Sequence, residues 1–184
     1  MISSIGEVVK KVKKIHGATY LLETSICNYE DDFLIRYIKN IKPAIKDCIE
    51  IGTYNGLATI VLASAANSVH TFDIAYRDAE FLWNRLYPKL RNKIHYTVGN
   101  QDIIDDQINR LFYFNKKWFD INFAFIDGKH TYENVKHDFE MVKDCGRVLF
   151  HDANMPQIKQ FLVETGAKIF VNSDNMFAIY EKQK

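Results

Sequence analysis

The sequence predicts an α/β fold built on a doubly wound, mostly parallel sheet, and three observations carry that prediction. From Asp47 onward, short apolar runs rich in Val, Ile, Phe and Tyr alternate with helical stretches, which is the pattern of a parallel sheet joined by crossover helices. A turn with two glycines, Gly52 to Gly56, follows the first of these runs. Near the C-terminus, two further apolar runs flank Asn172-Ser173-Asp174-Asn175, whose residue types favour a tight turn and so a closing antiparallel hairpin.

Taken in order, the elements begin with an amphipathic helix. Ser4 to Glu7 has the form of a capping box, and Ile5, Val8, Val9, Val12 and Ile15 recur at helical spacing. The lysines at 10, 11, 13 and 14 are read as its solvated face. A second helix follows from Phe33, Leu34, Tyr37, Ile38 and Ile41, with Glu30, Asp31 and Asp32 near its positive N-terminus and Pro43 marking its end. Residues 1–42 thus form a predicted N-terminal helical cap. Five strands are expected at Asp47–Ile51, Val69–Phe72, Ile94–Val98, Ile121–Ile126 and Arg147–Phe150. Helices are expected at Leu57–Ala66, Asp78–Leu86 and Tyr132–Val142. The hairpin adds Ala167–Val171 and Met176–Glu181, for seven strands in all. Nothing resembles a linker or an internal repeat, so one domain spanning 1–184 is expected.

Composition narrows the function classes. At 47% hydrophobic and 26% charged, the 184 residues suit an ordinary folded domain. The three cysteines, Cys27, Cys48 and Cys145, are odd in number and lack paired spacing, so free buried thiols in a reducing compartment are expected. Lysines interrupt the N-terminal apolar residues before any signal-peptide core forms, and no run approaches the length of a membrane span. A cytoplasmic location without membrane association follows as the expectation. The formal charge of +1 supplies no general attraction to phosphate backbones, which places nucleic acid low among candidate partners.

The stretch CIEIGTYNGLAT carries the first chemical signal. Glu50 ends an apolar run, Gly52 and Gly56 bracket Thr53, Tyr54 and Asn55, and a small-residue helix start follows. Glycine lets the backbone turn sharply and approach a ligand, while the helix start offers unsatisfied amides. Asp73 ends the next run, and an acid about twenty residues beyond such a turn is placed to hydrogen-bond ribose hydroxyls. A nucleoside-containing ligand is the reading. The loop form E-x-G-x-x-x-G lacks the third glycine of a dinucleotide site.

EIGTYNGLATIVLA resembles the first motif of class I S-adenosylmethionine-dependent methyltransferases, especially the catechol-type O-methyltransferases. The resemblance implies a Rossmann-like fold and S-adenosylmethionine as cofactor. It also implies cofactor-binding roles for Glu50, Gly52, Thr53, Tyr54, Asn55, Gly56 and Ile74, and for Asp73 at the ribose. VGNQDI is similar to the family's adenine-contacting stretch, which brings in Asn100 and Gln101.

A second constellation lies downstream. FAFIDGKHTYENVKHDFEMV delivers Asp127 at a strand end with His130 at the mouth of the next helix, and CGRVLFHDAN delivers His151 and Asp152 at the following strand end. If the two strands are neighbours, these groups share one crevice and can hold a divalent cation or position and deprotonate a hydroxyl. The pattern IDG-x-H-x-Y followed by HD resembles a subfamily of small methyltransferases related to the catechol-type and macrocin-type enzymes. By that resemblance Asp127 also touches the cofactor, and Asp127, His130 and Asp152 line the acceptor side. Those relatives hold Mg2+ with an Asp-Asn or Asp-Asp pair where Asp152 is followed here by Ala153. The metal question therefore stays open, with Asp127 and Asp152, helped by His151 or His130, as the candidate ligands for Mg2+ or another divalent cation.

The remaining polar and aromatic groups are given structural roles. His16, His70 and His95 are read as surface or hydrogen-bonded residues, and His137 with Asp138 as a solvated helix face. The aromatic cluster LFYF, with Trp118 and Phe119, is read as core packing, and Arg110 to Phe119 as a loop near the acceptor. The functional expectation is O-methylation of a small hydroxylated molecule. Its rivals are a non-catalytic cofactor-binding protein and an NAD or nucleotide-sugar enzyme. Oligomeric state is open, a homodimer included.

Overall fold

The structure is a computed structural model that describes residues 31–114, 120–170 and 176–182, together with Glu7 and Lys11. The remainder of the first predicted helix, His16, Cys27, Trp118, Phe119 and the turn at 172–175 lie outside the described residues. Glu7 and Lys11 are helical and pair across one turn at 3.3 Å.

Seven strands form one mixed sheet: β1 (Asp47–Ile51), β2 (Ser68–Asp73), β3 (Ile94–Val98), β4 (Ile121–Ile126), β5 (Arg147–Phe150), β6 (Lys168–Ile169) and β7 (Ala178–Glu181). Their spatial order is β3-β2-β1-β4-β5-β7-β6. β1 to β5 run parallel, and β7 inserts antiparallel between β5 and β6. The chain winds outward from β1 through β2 to β3, then returns to β4 on the other side of β1. That reversal opens a crevice at the C-terminal ends of β1 and β4, where open α/β sheets place ligands.

Among the described residues from 31 onward the α-helices are α1 (Asp31–Asn40), α2 (Leu57–Ala65), α3 (Ala79–Leu86), α4 (Pro88–Arg91), α5 (Gln101–Tyr113), α6 (Tyr132–Val142) and α7 (Pro156–Thr165). Alternate strand residues feed opposite faces, as the two-residue period of a strand requires. Cys48, Phe123 and Phe125 pack beneath α1, α2 and α3 with Leu34, Ile60, Leu82 and Trp83. Ile49, Ala124 and Ile126 pack on the other face against Ile104 and Ile108 of α5, Val135 and Phe139 of α6, and Phe161 of α7. Cys48 and Cys145 are buried free thiols, and burial pushes both well above the ordinary thiol value.

Two helices correct the sequence reading. Gln101–Tyr113 is helical, so Arg110 to Tyr113 of the expected Arg110 to Phe119 loop belong to a helix, and residues 115–119 lie outside the described residues. Pro156–Thr165 is a helix that had no counterpart in the prediction; Pro156 occupies its first turn, where the missing N–H costs nothing. Within LFYF, Leu111 and Phe112 pack on the core, whereas Tyr113 is 83% exposed and Phe114 40% exposed, so the core assignment fails for those two rings. Asp138, expected on a solvated face, is buried. Its position three residues after Val135 and four before Val142 puts it on the apolar stripe of α6. His70 is also buried, its ring stacked on His95 with centroids 4.7 Å apart.

Candidate functional site

The glycine turn is held by the strand beside it. The amides of Gly52 and Thr53 both donate to the Phe72 carbonyl, at 2.9 and 3.2 Å, and the Thr53 and Thr71 hydroxyls meet at 2.6 Å. Gly52 stands at φ +99°, where a Cβ would lie 2.1 Å from the Asp127 carbonyl oxygen. Gly56 stands at φ +75°, and a Cβ there would lie 2.6 Å from the Trp83 indole nitrogen, which donates to the Gly56 carbonyl at 3.2 Å. Only glycine fits both places. Gly56 caps α2 without a side chain, so the first-turn amides of α2 face the crevice without a capping side-chain acceptor.

Asp73 sits one strand over and ties the turn from the side. Its Oδ2 accepts from the Tyr54 amide at 2.8 Å and its Oδ1 from the Ala75 amide at 3.0 Å. A carboxylate has about four acceptor positions, so two backbone bonds leave capacity for a pair of hydroxyls. Ile74 beside it is 65% exposed, and the Arg77 guanidinium lies over the Tyr54 ring at 5.3 Å from its centroid.

These groups border a cavity of about 610 Å³, lined by Gly52 to Ala58 on one side and by Asp127 to His130, His151 and Asp152 on the other. Gln101 lines it as well. Glu50 and Asn100 do not. Glu50 is fully buried beneath the turn, where Thr59 Oγ1 donates to its Oε2 at 2.6 Å. Burial pushes the Glu50 carboxyl up to about 8 against the opposing hydrogen bonds from Thr59 and Thr71. Asn100 caps α5, its Oδ1 accepting from the Ile103 amide at 3.0 Å. The cavity adds residues that sequence reasoning missed: Arg77, Ile104, Asn134, Asp138 and Met176. For Asp138 the signal was present, because a carboxyl on an apolar helix stripe is costly to bury unless it does something. Burial raises it to about 6.

At the other end of the cavity β4 and β5, being neighbours, bring Asp127, His130, His151 and Asp152 together. The Asp127 amide donates to the Ile51 carbonyl at 2.8 Å and the His151 amide to the Ile126 carbonyl at 3.0 Å, extending the ladder past the strand ends. His151 Nδ1 lies 3.1 Å from both Asp127 Oδ1 and Asp152 Oδ2. His130 Nε2 lies 2.9 Å from Asp152 Oδ2 and 3.5 Å from Asp127 Oδ1. Asp152 holds φ 52°, a left-handed conformation that Asp adopts more readily than most residues.

Charge within this quartet is mutually reinforced. Hydrogen bonds donated to the Asp127 and Asp152 carboxylates raise His130 to about 9 against the effect of burial. Burial would lower His151, but the charge of Asp127, its hydrogen bond and those of Asp152 outweigh it and lift the imidazole to about 11. Burial would raise Asp152, yet hydrogen bonds from His130 and His151 hold it well below the usual carboxylate range. The arrangement can orient a hydroxyl between carboxylate oxygens and take its proton on an imidazole.

The magnesium ion implied by the resemblance to catechol-type enzymes does not fit this donor set. Mg2+ seeks oxygen ligands in near-ideal octahedral geometry. Here the residue after Asp152 is Ala153, fully buried and without a donor, and the groups converging on the two carboxylates are imidazole nitrogens.

A methyltransferase domain family matches residues 49–153, a span running from β1 through Asp152. No curated protein matches the chain. Among solved structures, an O-methyltransferase from Bacillus cereus in complex with SAH superposes with a TM-score of 0.68 at 18% identity, covering 96% of this chain and 91% of that one. The N-methyltransferase NodS from Bradyrhizobium japonicum with S-adenosylhomocysteine gives 0.57 at 12% identity, covering 96% and 99%. A precorrin 8w decarboxylase from Methanobacterium thermoautotrophicum gives 0.53 at 15% identity, covering 76% and 82%. At such identities the likeness speaks to the fold alone, and its members differ in chemistry. The family match, which spans more than half of the sequence, goes further: the chain belongs to the methyltransferase domain family.

Proposed function

We propose that the cavity binds S-adenosylmethionine and that the chain transfers its methyl group to a hydroxyl of a small molecule, within the IDG-x-H-x-Y group related to catechol-type and macrocin-type enzymes. One observation carries the reading: a single cavity joins the glycine turn and Asp73 at one end to the Asp127, His130, His151 and Asp152 quartet at the other. The SAH complexes of the B. cereus and NodS enzymes, which share the fold, support the choice of cofactor. Asp73 takes the ribose hydroxyls, Ile74 flanks the base, and the turn amides approach the amino-acid part of the cofactor. Gln101, at the start of α5, borders the adenine side.

In the reaction the S–CH3 bond breaks, its electron pair returns to sulfur, and the acceptor oxygen forms the new O–CH3 bond. The hydroxyl proton goes to the neutral imidazole of His130, at the cavity mouth with 38% of its side chain exposed. Asp127 and Asp152 orient the acceptor, and holding donor and acceptor in line supplies much of the acceleration. Because His130 titrates near 9, its basic form is a minority at neutral pH and transfer speeds up as the solution becomes alkaline.

Calorimetry with S-adenosylmethionine, S-adenosylhomocysteine and NAD tests the cofactor, and transfer of a labelled methyl group to a panel of hydroxylated aromatic and sugar-like molecules tests the reaction. Heat with NAD alone would sink the cofactor assignment. Cofactor binding with methyl transfer only to amines would sink the O-methylation assignment.

A further inference from the structure

We propose that Asp138 determines which base the cofactor carries: its carboxylate, with the amide oxygens of Gln101 and Asn134, accepts hydrogen bonds from the exocyclic amino group of adenine. The assignment rests on the S-adenosylmethionine reading of the cavity and adds the rule by which the base is chosen. Asp138 is 5% exposed and borders the cavity, yet its carboxylate receives no hydrogen bond from any described residue. Burial raises the carboxyl to about 6, so the ionised form, which can only accept, prevails at neutral pH. A buried carboxylate without a donor carries a desolvation cost that a donor on a ligand offsets. Glycine at 128 helps to leave it uncovered, because a Cβ there would stand 3.0 Å from Asp138 Oδ2.

Two further side chains on the cavity lining present acceptors. Asn134 precedes Asp138 by one turn, so both lie on the same face of α6. Its Nδ2 donates to Thr131 Oγ1 at 2.7 Å, and its Oδ1 is left without a donor among the described residues. On α5, Gln101 Nε2 donates to Asp105 Oδ1 at 2.9 Å, an oxygen that also lies 3.1 Å from His137 Nε2. That pairing turns the nitrogen end of the Gln101 amide toward Asp105 and leaves Oε1 as its unengaged end. Asp73 pairs in the sheet with Val98, three residues before Gln101, so a ribose held by Asp73 carries its base toward the start of α5. Adenine offers two amino hydrogens to these acceptors. Hypoxanthine offers a carbonyl oxygen instead, which meets acceptors only and leaves the buried carboxylate unpaired, the situation in which a polar site rejects an analogue most strongly.

The test compares S-adenosylhomocysteine with S-inosylhomocysteine, in which a carbonyl replaces the amino group, by calorimetry on the whole purified chain. The unaltered chain is expected to bind the inosyl compound at least about tenfold more weakly, the scale of one hydrogen bond to a charged group. Asp138→Asn is expected to weaken S-adenosylhomocysteine more than the inosyl compound, so that the preference shrinks or reverses. A merely structural role would weaken both ligands alike and leave their ratio unchanged, which overturns the proposal. Asp138→Ala is the second variant if the first fails to fold, since it removes the acceptor without burying a new polar group, and its preference should shrink as well. Equal affinity of the unaltered chain for the two ligands refutes the base assignment alone and leaves the cofactor reading standing. Failure of the unaltered chain to bind either ligand refutes the cofactor reading, and the base assignment falls with it.

Discussion

The backbone of Gly52 lies against the backbone of Asp127 so closely that a Cβ on the glycine would stand 2.1 Å from the aspartate's carbonyl oxygen and 2.8 Å from the next amide nitrogen. The turn after β1 and the turn after β4 therefore form one packed unit. The glycine-turn end and the Asp127 end of the cavity cannot shift independently.

Gly52→Ala is expected to damage both ends at once. It combines a positive φ with a backbone clash that no side-chain rotation relieves, whereas Gly146, at φ +86° with nothing within 4 Å, meets only the backbone penalty. Gly146→Ala should cost about 1–2 kcal/mol, and Gly52→Ala clearly more, with loss of S-adenosylhomocysteine binding. Thermal denaturation and calorimetry of the two variants check this; equal destabilisation would mean that the close approach is unimportant.

Asp73→Asn is expected to weaken cofactor binding by about 10- to 100-fold, the scale of a charge-assisted hydrogen bond of 1.5–3 kcal/mol. The amide oxygen can still accept from Tyr54 or Ala75, so the turn should survive and the melting temperature change little. Unaltered affinity would remove Asp73 from the ribose site.

His130 should titrate near 9 in the free chain, followed through its imidazole Cε1–H resonance. Since its folded value lies above the ordinary 6.5, its pairing stabilises the fold fully below pH 6.5 and fades as pH rises through 9. Asp152→Asn removes the negative charge at the shorter of its two contacts and should bring the midpoint back toward 6.5. A midpoint of 6.5 in the unaltered chain would show that the carboxylates do not hold it.

Glu50→Gln should stabilise the protein in alkali. Between 4.5 and about 8 the folded chain keeps a proton that the unfolded chain has released, so stability falls as pH rises through that window. The slope approaches 1.4 kcal/mol per unit where the two states differ by a full proton. The melting temperature of the glutamine variant, compared with the unaltered chain, should pull ahead from pH 5 to pH 8. Parallel curves would place the Glu50 pKa near its ordinary value.

Much of the sheet was legible because its strands are nearly continuous apolar runs. The predicted bounds of β1, β3, β4 and β5 coincide with those observed, and β2 differs by one residue at each end. Helix α5 escaped because Asp102, Asp105 and Asp106 dilute its stripe, although Ile104 and Ile108 keep helical spacing. Helix α7 escaped because Pro156 suggests a break, although proline is well suited to a first turn and Gly166 supplies the left-handed stop. At the cavity the glycines, Asp73, Asp127, His130 and Asp152 stood out as polar or flexible residues at strand ends, and each borders it.

The sequence by itself determined the order of elements, the two glycines and the positions of the four acid and imidazole groups, since these follow from local periodicity and backbone chemistry. Only the tertiary structure decided that Glu50 and Asn100 turn away from the cavity, that Asp138 turns into it, and that His151 lies between two carboxylates. Those outcomes depend on which strands become neighbours and which face of each helix meets the sheet, and both are set by long-range burial of apolar surface that no short window of residues encodes.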